Sequence, residues 1–372
     1  MRTLCRLATL QGIGFAILCL AVAAVNAAGD HGTPTEDPIW EWSPEQIKKH
    51  VNRVRAGRDL SPKSWPNGAK VAVSFSFDID TEPVWIGFQE VRTPSYMSRG
   101  EYGARAGQPR VLKLLEKHNI PATFFIPAMT MELHPEIVPE ILKHPEYEIA
   151  FHSYVHENPL RLNEEDERRI YKKALEIFEK HVGRKPLGFR SAAWDLTDST
   201  IKIVNEMGFL YETSMMSDER PYMLNSYGKE TGLIELPVEW ILDDWPLFQI
   251  SWPTKHVAIR NAEDVLSIWR DEFDVAHEEG TLFMLTMHPQ VIGHRYRIKM
   301  LDKLITHMKS KGDVWFATHE QTEVDIVVSH GATIEGTVTF ADLLSTPNRE
   351  DAIAAGVTIR VKQVVPPALA AA

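Results

Sequence analysis

Short apolar runs alternate with longer amphipathic stretches through most of the chain. The runs lie at residues 70–78, 121–126, 147–151, 187–190, 210–214, 233–238, 281–287 and 314–318. The first continues as "AVSFSFDIDTEPVW" from Ala72, where Val73, Phe75, Phe77 and Ile79 occupy every second position. That period of two predicts a strand with one apolar face. Between the runs, "RVLKLLEKH" from Arg110, "NEEDERRIYKKALEIFEKHVG" from Asn163, "AEDVLSIWRDEFDVAHEEG" from Ala262 and "RIKMLDKLITHMKSKG" from Arg297 carry helical spacing. The second of these opens on Asn163 as an N-cap, places acids in its first turn and closes on Gly183. Strand, helix, strand at this spacing predicts a parallel sheet. About eight such strands imply an α/β fold, a distorted or incomplete (β/α) barrel. No internal repeat is visible.

Composition sets the ends of this plan. With 372 residues and 44% hydrophobic content, the chain can bury a sizeable core. Residues 1–27 read as a cleavable signal peptide: Arg2 and Arg6, then an apolar run from Ile13 to Val25, then small residues at Ala27 and Ala28. The expected location is therefore secreted or periplasmic, with no membrane attachment after cleavage. Both cysteines, Cys5 and Cys19, fall inside that segment, so the mature chain needs no disulfide chemistry. Cleavage removes two arginines and no acid, taking the formal charge from −11 to −13, which argues against a nucleic-acid partner. Residues 28–69 read as an N-terminal extension, 70–324 as the barrel, and 325–372 as a tail of no evident role that ends in "VVPPALAAA". Assembly into a homo-oligomer is compatible with this pattern and not specified by it.

A barrel places its chemistry at the C-terminal ends of its strands. Asp78 and Asp80 end the first run, His152 ends "YEIAFH" with His156 four residues on, Arg190 ends "LGFR", and His288 ends "TLFMLTMH". Each alone has an ordinary structural explanation: a cap, a core histidine, an ion-pair partner. Together, from four separate segments, they define one reactive rim. If "FHSYVHENP" makes a helical turn, His152 and His156 share a side, and Asp80 completes a His, His, Asp set for a divalent ion with a position left open. Such an ion activates water and polarises a carbonyl.

"SFSFDID", "FHSYVHENP", "GFRSAAW", "LPVEWILDDWP" and "LTMHP" follow the order of five motifs of the NodB-type polysaccharide deacetylases, carbohydrate esterase family four. The chain resembles the peptidoglycan-deacetylase and allantoinase-like branch, in which D-x-D replaces an adjacent pair; "SRGEYGARAG" from Ser98 is also similar to that branch. The resemblance spans roughly residues 40–320 and implies a NodB-type distorted barrel that hydrolyses C–N amide bonds with a metal, zinc being the first expectation. It implies Asp80, His152 and His156 as metal ligands, Asp78 as general base, Arg190 as the group that orients Asp78, and His288 as acid with Asp243 or Asp244 behind it. Trp194 and Trp245 would wall the pocket. One departure is Ala192, standing where the family's third motif carries proline. Three functions follow: N-deacetylation of a glycan such as peptidoglycan or a chitin-like polymer, hydrolysis of small cyclic amides, imides or ureides, or a barrel that binds glycan without turnover.

Overall fold

A computed structural model describes residues 38–252 and 255–330. The signal segment with both cysteines, and the tail beyond residue 330, lie outside the described residues. The chain divides at Val51/Asn52 into two units. In the first, the described part is a single turn Ile39–Glu41 and a helix Pro44–Val51. Among the described residues no helix is long and apolar enough to cross a membrane.

The second unit is a mixed α/β fold. Its strands are β1 Arg55–Asp59, β2 Val71–Asp78, β3 Thr123–Ile126, β4 Glu148–Phe151, β5 Gly188–Phe189, β6 Tyr211–Glu212, β7 Tyr222–Ser226, β8 Lys229–Glu235, β9 Ile250–Ser251, β10 His256–Val257, β11 Leu282–Met287 and β12 Val314–Ala317. Ten of them form one sheet in the order β1-β7-β8-β6-β5-β4-β3-β2-β11, with β12 also on β2; β9 and β10 form a separate pair. The run from β8 through β6, β5, β4, β3 and β2 to β11 is parallel; within this sheet the described antiparallel pairings are those of β7, and the separate β9–β10 pair is antiparallel too. Among the described residues the sheet does not close. After β8, the chain meets β11 through one parallel bridge, Asp243 to Thr286. All eight apolar runs are strands, and the four amphipathic stretches are helices Gln108–His118, Glu164–Val182, Ala262–Glu279 and Arg295–Ser310. Asn163 accepts from the Asp166 N–H, and Gly183 ends the helix at φ 80°.

On β2 the alternation works as the pattern demands. Val71, Val73, Phe75, Phe77 and Ile79 enter the main core with the helices. The opposite face carries Ser74, Ser76 and Asp78, whose hydroxyl and carboxyl groups meet other strand ends. The barrel's limits differ from the expected 70–324. β1 brings residues 55–59 into the sheet, Leu60 and Trp65 are buried in a second cluster, and the last described helix, His319–Ser329, runs past residue 324 with Ile326 buried. β1, "RAGRD", escaped the pattern because an exposed edge strand is held by backbone pairing and needs no apolar face.

Glu212 and Glu235 are neighbours in the β6–β8 register, and both are fully buried. One oxygen of each accepts a backbone N–H, from Ser214 and Met215, at 3.0 Å. The other two, Glu212 Oε1 and Glu235 Oε2, find no such donor among the described residues, and a proton shared between the neighbouring carboxyls would satisfy them. Burial pushes both carboxyls upward, Glu235 well above the ordinary range. A carboxyl raised by folding binds its proton more tightly in the native state, so this stability is present at acid pH and is lost as pH rises above the unfolded value near about 4.3. Glu235→Gln, whose amide supplies the missing hydrogen permanently, is expected to raise the melting temperature at pH 8.5 more than at pH 5. Equal shifts at both pH values in thermal melts would contradict the shared proton.

Candidate active site

The sequence-named residues converge at the C-terminal ends of β2, β4, β5 and β11. Asp78 is the last residue of β2, and its Oδ1 accepts from Arg190 Nη1 at 2.7 Å. Both are buried, so this ion pair is shielded from water. Arg190 also donates to the Thr213 carbonyl, Thr213 Oγ1 and Ser76 Oγ. Asp80 follows at a sharp turn, with Thr81 at φ 50° and the Asp80 carbonyl accepting from Thr130 Oγ1 at 3.0 Å.

His152 follows β4. Its Nδ1 lies 2.9 Å from the Arg190 carbonyl, which can only accept. Nδ1 therefore carries the proton and Nε2 presents a lone pair. That Nε2 lies 3.4 Å from Asp80 Oδ1 and 3.8 Å from Asp78 Oδ2. His156 Nε2 lies 3.7 Å from Asp80 Oδ2. The expected helical turn between the histidines is absent. Ser153 at φ 58° and His156 at φ 53° form a loop that brings the rings to 5.0 Å at 83°. Left-handed backbone in non-glycine residues costs about 1–3 kcal/mol each, and Thr81, Ser153, His156, Ala193 and Trp194 all carry it beside this rim. The last two follow Ala192, where the family pattern has proline.

Asp80, His152 and His156 fit a divalent cation. One donor atom from each lies within 4.8 Å of the others, and all three residues are buried. Among the described residues, Asp80 Oδ1 and His152 Nε2 have no hydrogen-bond partner, a state that buried polar atoms rarely tolerate. Burial raises the Asp80 carboxyl, but His156, His152 and His288 outweigh it and hold it at about 2. Burial pulls His156 down to about 4. Both are thus in their ligating forms at neutral pH. Burial opposes a charge on His152 too, yet Asp78 and Asp80 raise it overall; a bound cation would cancel that pull.

His288 follows β11. Its Nδ1 lies 2.7 Å from Asp244 Oδ1, while Nε2 points to Asp80 Oδ2 at 3.6 Å and Asp78 Oδ2 at 4.0 Å. Of Asp243 and Asp244, which the sequence left open as its partner, Asp244 makes the short contact. Asp243 turns its carboxylate to the Trp245 N–H at 2.8 Å and stays 3.6 Å from His288 Nδ1. Burial disfavours charge on His288, but Asp243 and Asp244 overcome it and lift the ring to about 10. One imidazolium cannot balance two buried carboxylates, and burial pushes the surplus carboxyl, Asp243, up to about 8. The Trp245 ring lies 5.2 Å from His288, and Trp194 lies 5.9 Å from the Arg190 guanidinium and 4.5 Å from Trp240. Sequence reasoning missed Gln290, buried, with Nε2 3.5 Å from Asp80 Oδ2, and Trp85, which packs on Trp245 at 5.5 Å. Neither stands at a strand end, the one signal available.

A polysaccharide deacetylase family model matches residues 98–211. The crystal structure of a "putative polysaccharide deacetylase from Mycobacterium smegmatis" is 32% identical, covers 74% of this chain and 96% of its own, and superposes with a TM-score of 0.68. The chain belongs to the polysaccharide deacetylase family. Other members of this wider group are also similar. The peptidoglycan deacetylase of Helicobacter pylori is 29% identical over 278 residues, 68% of this chain and 94% of that one. The Puue allantoinase structure is 26% identical, covers 72% of this chain and 94% of its own, and has a TM-score of 0.64. The protein is thus a polysaccharide deacetylase-like hydrolase.

Proposed function

We propose that this deacetylase-family hydrolase is an exported, divalent-metal-dependent N-deacetylase of an N-acetylated glycan such as peptidoglycan or a chitin-like polymer. One observation carries the proposal: Asp78 Oδ2 and His288 Nε2 face each other at 4.0 Å beside the Asp80, His152, His156 cluster. A binding barrel has no use for a paired base and acid. When bound, a divalent ion, zinc first for His and carboxylate donors, supplies Lewis acidity toward the acetyl carbonyl and toward water. Asp78 takes the proton from the attacking water as its oxygen bonds to the carbonyl carbon. Arg190 keeps Asp78 aimed at that water. His288, protonated and backed by Asp244, gives its proton to the nitrogen as the C–N bond breaks, leaving acetate and a free amine. Export is proposed on the order of residues 1–27 alone.

The likeness to an allantoinase favours one second reading, hydrolysis of small cyclic amides or ureides by the same groups. The purified protein, incubated with N-acetylglucosamine oligomers and with cyclic imides, separates the two by acetate release against ring opening. Acetate release that chelation abolishes and zinc restores is expected, with about one ion bound per chain. Full activity after exhaustive chelation overturns the metal, and ring opening without acetate overturns the substrate.

A further inference from the structure

The last helix among the described residues opens on His319, a fully buried residue that no part of the mechanism uses. Its proton can be placed by counting donors. Ser74 Oγ donates its single hydrogen to the Ala317 carbonyl at 3.0 Å, so at 2.8 Å it must accept from His319 Nδ1. Nδ1 is therefore protonated, and Nε2 turns a lone pair toward Arg190 Nη2 at 3.5 Å. The ring is fixed edge-on against Phe125 at 5.4 Å, and the His319 N–H donates to Thr123 Oγ1 at 2.9 Å. Phe125 also lies under the Arg190 guanidinium carbon at 4.1 Å.

Arg190 has five N–H groups, and the contacts account for all of them. Nε donates to the Thr213 carbonyl, Nη1 to Ser76 Oγ and Asp78 Oδ1, and Nη2 to Thr213 Oγ1 and His319 Nε2. Only one of these acceptors is charged. We propose that His319 is a positioning residue: a neutral acceptor that completes the donor set of Arg190 and leaves its charge directed at Asp78. An acidic residue at 319 would divide that charge, and an apolar one would free Nη2 to rotate the fork away from Asp78. Burial, and then the Arg190 charge, hold His319 well below the ordinary histidine value, which agrees with a neutral ring. The helix His319–Ser329 is thereby part of the active-site frame, although it belongs to the stretch where sequence reading ended the barrel.

The proposal rests on the assignment of Asp78 and Arg190 above, and its test separates the two. In the full chain supplied with zinc and N-acetylglucosamine oligomers, His319→Phe keeps a planar ring without an acceptor and His319→Gln restores a neutral acceptor. His319→Phe is expected to lower kcat about tenfold or more, since small misplacements of a catalytic group are costly, with KM changed by less than about twofold. His319→Gln should recover most of that loss. Parental kcat in His319→Phe, or no advantage of Gln over Phe, overturns the proposal. Should the Phe variant fail to fold, ¹⁵N NMR of the histidines in the parental protein decides: a neutral, Nδ1-protonated His319 from pH 5.5 to 8.5 supports it, and a charged or Nε2-protonated ring overturns it. An absence of acetate release by the parental protein would count against the Asp78 assignment, while the ring's tautomer would still settle His319.

Discussion

Replacing Asp78 with Asn is expected to lower kcat by roughly 10²-fold or more while metal and glycan binding persist. The amide keeps the size of the carboxylate and leaves Arg190 Nη1 an acceptor, but it cannot take a proton from water. Asp78 and Arg190 are both buried and 2.7 Å apart, so loss of the charge also lowers the melting temperature. Rates should therefore be measured well below the melt. His288→Ala is the complementary change. His288 is lifted toward about 10 by Asp243 and Asp244, against its burial, and an acid works only while protonated. Activity should thus fall as pH rises through the His288 value; a cation that engages Asp80 weakens the lift and places this limb between about 6.5 and 10. The residual activity of His288→Ala should lack that limb. If both variants cleave the best amide at the parental rate, the acid and base are misassigned.

Gly87→Ala is expected to weaken zinc binding by about ten- to a hundredfold and to cost about 1–3 kcal/mol of stability. A methyl at Gly87 would stand 2.0 Å from the Val155 carbonyl oxygen and 2.8 Å from that of His156. Backbone cannot yield as a flexible side chain can, so the loop that presents His156 must move. The same logic applies at Gly107, where a methyl would meet the Pro289 carbonyl oxygen at 2.0 Å, next to His288. The segment between β2 and β3 thus presses backbone to backbone on two loops of the rim. Gly228→Ala is the control: its φ of 78° carries strain, but among the described residues nothing lies within 4 Å of the added methyl. It should lose stability and keep zinc affinity. Competition against a chromogenic chelator, with thermal melts, reads both quantities. Unchanged affinity in Gly87→Ala would show that the loop tolerates the shift.

The parts of this architecture that sequence could disclose are those with a periodic or positional signature. Buried parallel strands are short apolar runs, so all eight were visible, and strand ends locate Asp78, Asp80, His152, Arg190 and His288. Between Asp243 and Asp244 the sequence offered no choice. Adjacent residues differ only in which way the backbone turns them, and that is set by the Asp243–Thr286 bridge. The β7–β8 hairpin escaped notice because its turn, Tyr227–Gly228, resembles many loop dipeptides. The role of His319 depends on Ser74 of β2 and on Arg190, which follows β5, contacts without any local spacing. The H-x-x-x-H pair misled in a different way: its spacing suits a helix, yet left-handed residues achieve the same convergence.

The open side of the sheet ties mechanical integrity to acidity. Among the described residues, the one ladder contact between the segment after β8 and β11 is made by Asp243, and the next residue, Asp244, grips His288 through its ring and its backbone N–H. That contact is a latch holding two things at once. Loosening that contact would withdraw the two carboxylates behind the imidazole and weaken its hold on the proton, leaving only Asp78 and Asp80 on its Nε2 side. A bound molecule that held this contact shut would hold the proton in place as well, so one backbone bridge would govern both the seam and the acid.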